Sequence, residues 1–103
     1  LAKSHIGLTL MNGENLVDLV WGKDRPERVH NPIFHLPVEY SGREAKDKID
    51  AVRRYLSDNQ LYGFIVTALD EIAWLFNLRG SDIECNPNFF SYAMVTGTSL
   101  HLY

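Results

Sequence analysis

The 103-residue chain has a single cysteine, Cys85. No intrachain disulfide can form, so the fold does not depend on an oxidising compartment. An excess of positive charge is also lacking: ten Lys and Arg against thirteen Asp and Glu leave a formal −3. Binding to a phosphate backbone needs clustered positive charge, so nucleic acid is not an expected partner. No apolar run approaches the ~20 residues of a membrane-spanning helix, and no membrane partner is expected. Leu1–Gly7 carries no apolar core followed by a cleavage site. Internal repeats and low-complexity tracts are absent.

Recognisable reaction motifs are equally sparse. The four histidines stand at 5, 30, 35 and 101. None is four residues from another on an expected helix, and no Cys-x-x-Cys or His-Glu-x-x-His pattern occurs, so no metal-ligand spacing is present. Gly-x-Ser-x-Gly and Gly-x-Gly-x-x-Gly are missing, which removes the commonest marks of a serine hydrolase and a dinucleotide site. Cys85 lacks an evident histidine partner and reads as an ordinary loop cysteine. Asp70 and Glu71 are neighbours on an expected helix and point about 100° apart, so they cannot act as a converging pair. Opposition to the helix dipole accounts for them.

What remains is an ordinary globular composition, 46% hydrophobic and 22% charged. A chain this short forms one domain and buries roughly 60–70% of the surface its unfolded form exposes. Residues 13–21 read as a short helix capped by Asn12, with Leu16, Val17, Val20 and Trp21 on one face and Gly22 as its stop. Pro26, Pro32 and Pro37 keep 23–40 extended or turning. Ser41-Gly42-Arg43-Glu44 matches a capping box. A helix is expected from there to about Asn59, with Ala45, Ile49, Val52 and Leu56 on one stripe. Glu44–Lys48 and Asp50–Arg54 are spaced as i,i+4 pairs of helpful orientation, and Arg43, Lys46, Asp47 and Arg53 fall on the wet side.

The nearly unbroken apolar run Leu61–Thr67 fits a strand covered on both faces. Leu69–Leu78 reads as a helix, followed by Arg79 and by Gly80 as the stop. Residues 81–88 form a loop. Phe89–Thr96 is expected to be a central strand, Gly97-Thr98 a type II′ turn, and Ser99–Tyr103 the start of a further strand. The connection 68–88 is long enough for a crossover between parallel strands. The expected class is therefore α/β, a mixed sheet with flanking helices. The hairpin is unfinished at Tyr103, and the natural chain is expected to continue.

Asn77-Leu78-Arg79-Gly80-Ser81-Asp82 is the segment with most chemistry. Simple helix termination explains it. So does a polar binding loop, in which Arg79 holds a carboxylate in a bidentate fork and Asp82 orients it or fixes a cationic group. Both readings remain open on physical grounds.

Thr67–Asp82, in full Thr-Ala-Leu-Asp-Glu-Ile-Ala-Trp-Leu-Phe-Asn-Leu-Arg-Gly-Ser-Asp, resembles the signature of the long Xaa-Pro aminopeptidases of the creatinase/prolidase type. Asn86–Ala93 extends the likeness, as do Asn15–Asp18, Trp21 and Asp24–Arg28. The likeness runs over roughly 13–96 in the family's order and spacing. It implies that 13–103 is most of the middle, creatinase-like domain, truncated at its C-terminal end. Residues 1–12 are expected to be a leader or a segment added for expression. The resemblance further implies a parent enzyme that removes the N-terminal residue preceding proline. Two divalent metals, usually manganese, sit in its separate catalytic domain. This piece then carries no catalytic or metal-binding residue and needs no cofactor of its own. Its partners would be the N-terminal and catalytic domains of the same chain, a proline-containing peptide, and a second copy of the parent in a homodimer. The location would be cytoplasmic. Asn77, Arg79 and Asp82 would wall the substrate cleft or hold the domain against its catalytic neighbour. The alternative is a stand-alone creatinase-like binding module without peptidase activity.

Overall fold

The computed structural model describes residues 13–103. The expected cap Asn12, and the whole of the expected leader 1–12, lie outside these described residues. The element order is α1 (Leu16–Trp21), a 3₁₀ turn (Gly22–Asp24), β1 (Phe34–His35), α2 (Val38–Ser41), α3 (Ala45–Asp58), β2 (Gly63–Val66), α4 (Leu69–Phe76), β3 (Leu78–Arg79), β4 (Ala93–Thr96) and β5 (Leu100–Leu102). A three-stranded sheet in the order β2-β4-β5 carries α3 and α4 on one side. A two-stranded ribbon pairs β1 with β3. Helices thus flank a sheet, as the α/β class requires, and β4 is central.

The strand direction differs from the expectation. Every strand pair among the described residues is antiparallel, and no parallel crossover spans 68–88. Val66 pairs with Ala93, so the excursion between them leaves and re-enters the sheet at the same end. After α4 the segment 80–88 doubles back on itself in a tight turn between Ile83 and Asn86, with Gly80 N donating to Pro87 O and Asp82 N to Asn88 O, and the chain then enters β4 beside the end at which β2 left the sheet.

The core is thin and lies between the helices and one sheet face. Ile49, Val66, Ile72, Ala73, Leu75, Phe89, Ala93 and Val95 form one buried cluster, with Val52, Phe76 and Leu78 against it. Each full burial of a large apolar side chain contributes about 1.5–3 kcal/mol. The stripe read from the sequence of α3 holds, since Ile49 and Leu56 are buried and Ala45 and Val52 half-buried. The register Phe64–Val95–Leu100 and Val66–Ala93–Leu102 sets the inward face. Ile65, Met94 and His101 point the other way, and Ile65 is 68% exposed. The run 61–67 is therefore covered on one face only, because both helices pack on the same side.

Several local expectations also change. Ser41 ends α2 and its hydroxyl donates to Arg43 O, so no capping box forms, and Glu44 caps α3 without a side-chain bond. The proline at 37 forces a single helical turn to begin there, and that turn occupies the serine. The far end of α3 closes as a Schellman motif: Leu61 N donates to Leu56 O at 2.9 Å and Gln60 N to Ser57 O at 3.1 Å. Gln60 takes the left-handed φ of 54° that glycine usually supplies. Helix α1 begins at Asn15, whose side chain accepts from Val17 N, and its apolar face is open, with Val20 90% exposed. The strand expected over 89–96 starts at Ala93, although Tyr92 and Tyr103 still exchange backbone hydrogen bonds at 3.0 and 2.9 Å. The turn at 97–98 has no residue at positive φ and so is not type II′. The Thr96 hydroxyl accepts from Ser99 N at 2.8 Å and fixes the turn in its place.

Gly80 has a different task from the one the sequence suggested. Helix α4 has already ended at Phe76, with Asn77 as a left-handed cap at φ 53°. A Cβ on Gly80 would lie 2.7 Å from Phe89 Cβ and 3.3 Å from Asn88 O. The absent side chain lets the strand after α4 lie directly on the 87–89 segment, where Gly80 N donates to Pro87 O. Gly80→Ala should therefore destabilise the fold by about 1–3 kcal/mol, the range for overpacking a filled core. Urea denaturation should show a lower midpoint at unchanged slope.

Candidate functional site

The site is built around the C-terminal end of α4. The last carbonyls of a helix lack intrahelical partners and carry partial negative charge. Here two cations answer them. Lys48, from the second turn of α3, donates from Nζ to Trp74 O at 2.7 Å. Arg79 donates from Nη1 to Ala73 O and Leu78 O, each at 2.8 Å. Lys48 Nζ also lies 4.4 Å from the centre of the Trp74 ring, a cation–π contact.

Asn77 joins these groups. Its side chain accepts from Lys48 Nζ at 2.6 Å and donates to Arg43 O at 2.8 Å. Its backbone carbonyl accepts from Leu36 N at 2.8 Å, which aligns β1 with β3. One residue therefore connects α3, α4 and the ribbon. Lys48 is 2% and Asn77 1% exposed. Burial, followed by the nearby Arg79 and Arg43, pushes the Lys48 ammonium below its ordinary value.

Asp82 forms a second node. Oδ1 accepts from Asn31 N and Oδ2 from Phe90 N, both at 2.9 Å. Asn31 returns a bond from its side chain to Ser81 O at 2.7 Å. Two distant loops are thus fastened to one carboxylate. The Asn31 and Phe90 amides, with a smaller contribution from His30, hold its carboxyl below the ordinary value of 3.8.

The three residues singled out in the sequence accordingly occupy one short stretch but do not converge on one point. Asn77 faces inward and has no open side for a ligand. Arg79 is half-buried against the helix end. Asp82 is partly exposed, with both oxygens engaged by backbone amides. Sequence reasoning missed Lys48. It sits three residues after Ala45, next to Ile49 and four before Val52, inside the apolar stripe, and that position was the available signal. No ion pair joins it to Glu44 among the described residues, and Asp50 meets Arg53 instead of Arg54. Cys85 is exposed, at a left-handed φ of 59° in the tight turn between Ile83 and Asn86. Among the described residues no three His, Cys, Asp or Glu side chains gather as a metal-binding group, and no helix is long and apolar enough to cross a membrane.

The family model for the creatinase/prolidase N-terminal domain matches residues 24–103. The chain belongs to this family. Among curated relatives, a protein named Probable Xaa-Pro aminopeptidase P from Pyricularia oryzae is 54% identical over 90 residues, which cover 87% of this chain and 15% of the relative. Its namesake in Sclerotinia sclerotiorum is 57% identical over 90 residues, with the same coverage. A crystal structure of X-prolyl aminopeptidase from Caenorhabditis elegans, described as a cytosolic enzyme with a di-nuclear active site, superimposes with a TM-score of 0.77 at 37% identity. That match covers 86% of this chain and 14% of the solved one. The chain therefore spans about one seventh of the length of the relatives it matches.

Two predictions follow from the nodes. Lys48→Met keeps the stem but leaves Trp74 O and Asn77 Oδ1 without their donor, and should cost about 1–3 kcal/mol in chemical denaturation. The Asp82 carboxyl has its pKa lowered on folding, so its contribution is complete above the ordinary carboxylate range and is lost as pH falls through the folded value. Acid unfolding of Asp82→Asn should consequently be less steep than that of the unaltered chain, because the amide has no proton to take up.

Proposed function

We propose that this chain is a non-catalytic α/β domain, the middle one, of a dinuclear-metal Xaa-Pro aminopeptidase whose parent removes the N-terminal residue preceding proline. The observation that carries this reading is 54% identity across 87% of the chain to a relative so named, of which it covers only 15%. A piece of that size is one part of a much longer parent, which suits a scaffold beside a catalytic domain. The two metals, manganese in our reading, belong to that catalytic domain, and none of the side chains described here is assigned to them. The description of the nematode enzyme as cytosolic and di-nuclear supports a cytoplasmic location and a paired-metal parent. A homodimeric parent belongs to the same reading.

Within it, Asn77 acts by holding α3, α4 and the ribbon in register. Arg79 and Asp82 shape the surface that this loop presents to the neighbouring domain and to the cleft. The open apolar face of α1, with Leu16, Val17, Val20 and Trp21, is the surface through which the domain packs against the rest of the parent.

The purified chain should release no N-terminal residue from an Xaa-Pro peptide, with or without added manganese. Robust turnover would overturn the assignment of the chemistry to another domain. The parent reading frame should encode several hundred further residues with Asp, His and Glu ligands, and an intact gene ending directly after Tyr103 would favour the stand-alone module.

A further inference from the structure

The stretch that joins α1 to the body of the domain is anchored at both ends and free between them. At the α1 end, Arg25 N donates to Gly22 O and the Arg25 guanidinium pairs with Asp18. At the other end, Asn31 N donates to Asp82 Oδ1 at 2.9 Å and Asn31 Nδ2 donates to Ser81 O at 2.7 Å. Asp82 is itself tied to the body, because its second oxygen accepts from Phe90 N. Pro26–His30 lies between the anchors. Among the described residues it makes no hydrogen bond or ion pair, and every one of its residues is exposed. A free span of this length reaches up to about 17 Å, so the two anchors leave the position of α1 against the body open.

Helix α1 and the turn after it form a unit of their own. Asn15 caps the helix, Gly22 N donates back to Asp18 O, and Asp18 receives Arg25. None of the α1 residues is buried, and the element on which α1 chiefly packs is the turn at Gly22–Asp24. The family domain begins at Asp24, immediately ahead of the free span. Similarity to the Pyricularia oryzae relative runs over 90 residues, more than 24–103 holds, and so continues upstream of Asp24, where α1 lies. Helix α1 is therefore shared with that relative and yet stands outside the family domain.

We propose that Pro26–His30 is a hinge, with the Asn31–Asp82 clamp as its pivot, on which α1 swings as one unit with the preceding domain of the parent. The preceding domain rests on the reading of this chain as the middle part of a longer peptidase. A hinge needs only a few positions, free of packing and hydrogen bonds, that absorb a change in φ and ψ. Glycine is not required. Pro26 fixes its own φ and keeps Arg25 extended, so the free rotations fall on Glu27–His30. The clamp confines them there. Beyond it the next fixed points are Phe34, where β1 pairs with β3, and Leu36 N on Asn77 O.

The test is backbone NMR relaxation of the isotopically labelled chain. Order parameters should pass through a local minimum below about 0.6 at Glu27–His30, recover across Leu16–Arg25, and stand at about 0.85 from Asn31 onward. In Asp82→Ala, which removes the acceptor of the clamp, the low values should spread through Ile33 to the edge of β1. Asn31→Ala keeps the amide bond to Asp82 and loses only the bond to Ser81 O, so its Ile33 value should fall by a smaller amount. Values in α3 and β4 should stay unchanged in both variants, which separates release of the clamp from loss of the fold. Should Asp82→Ala not fold, the fall at Ile33 in Asn31→Ala decides the matter. Rigid values through Glu27–His30, a steady decline from Asn31 toward Leu16, or an unchanged Ile33 in the variants would each overturn the proposal. Such a result leaves the peptidase reading standing, since that reading is tested by turnover and by the parent reading frame.

Discussion

Helix α3, helix α4 and the β1–β3 ribbon meet at the end of α4. A buried ammonium would ordinarily be costly, since water solvates it far better than a protein interior does. Lys48 is tolerated because it faces the negative end of a helix, a neutral amide oxygen and an aromatic face. No carboxylate is needed. The arrangement works only while Asn77 stays in its left-handed conformation, because that conformation turns its side chain toward Lys48 and its carbonyl toward Leu36. Asparagine is one of the few residues besides glycine that adopts this conformation readily. Glycine would offer no side chain to accept from the lysine. The site thus demands one residue type for two independent reasons.

Much of the fold could be read from periodicity. The stripe through Ala45, Ile49, Val52 and Leu56 gave α3 its orientation, and the apolar runs gave β2 and β4 their positions. Strand direction could not be read that way. Where the chain re-enters the sheet depends on how 80–88 doubles back on itself, and a loop rich in Asn and Pro carries no periodic signal. The close approach at Gly80 is invisible for a related reason. A glycine near a helix end reads as a cap, and only the position of Phe89 shows that it serves to make room.

The candidate site was legible in its members but not in their roles. Asn77, Arg79 and Asp82 stood out as polar residues following an apolar helix. Arg79 and Asp82 are met by carbonyls of Ala73 and Leu78 and amides of Asn31 and Phe90, and backbone groups leave no trace in a sequence. Lys48 was the harder case. A charged residue beside a capping-type glutamate suggests a surface pair, and the burial of the residue follows only from the packing of α3 on α4. Resemblance to a known family pointed to the same segment. It could not say which atoms were already engaged within the domain.

The bond from Asn31 N to Asp82 spans 51 positions of chain. The ribbon of β1 with β3 closes a loop of similar size, and neither contact can be replaced by a nearer one. During synthesis on the ribosome, the stretch from Asn31 to Leu36 consequently lacks these partners until Asn77–Asp82 has emerged. Helix α3 can form early from local contacts, but the strap through Asn31 closes late, after the entropy of a long loop has been overcome. A nascent polypeptide paused before Asn77 would leave that early stretch exposed to chaperones and proteases.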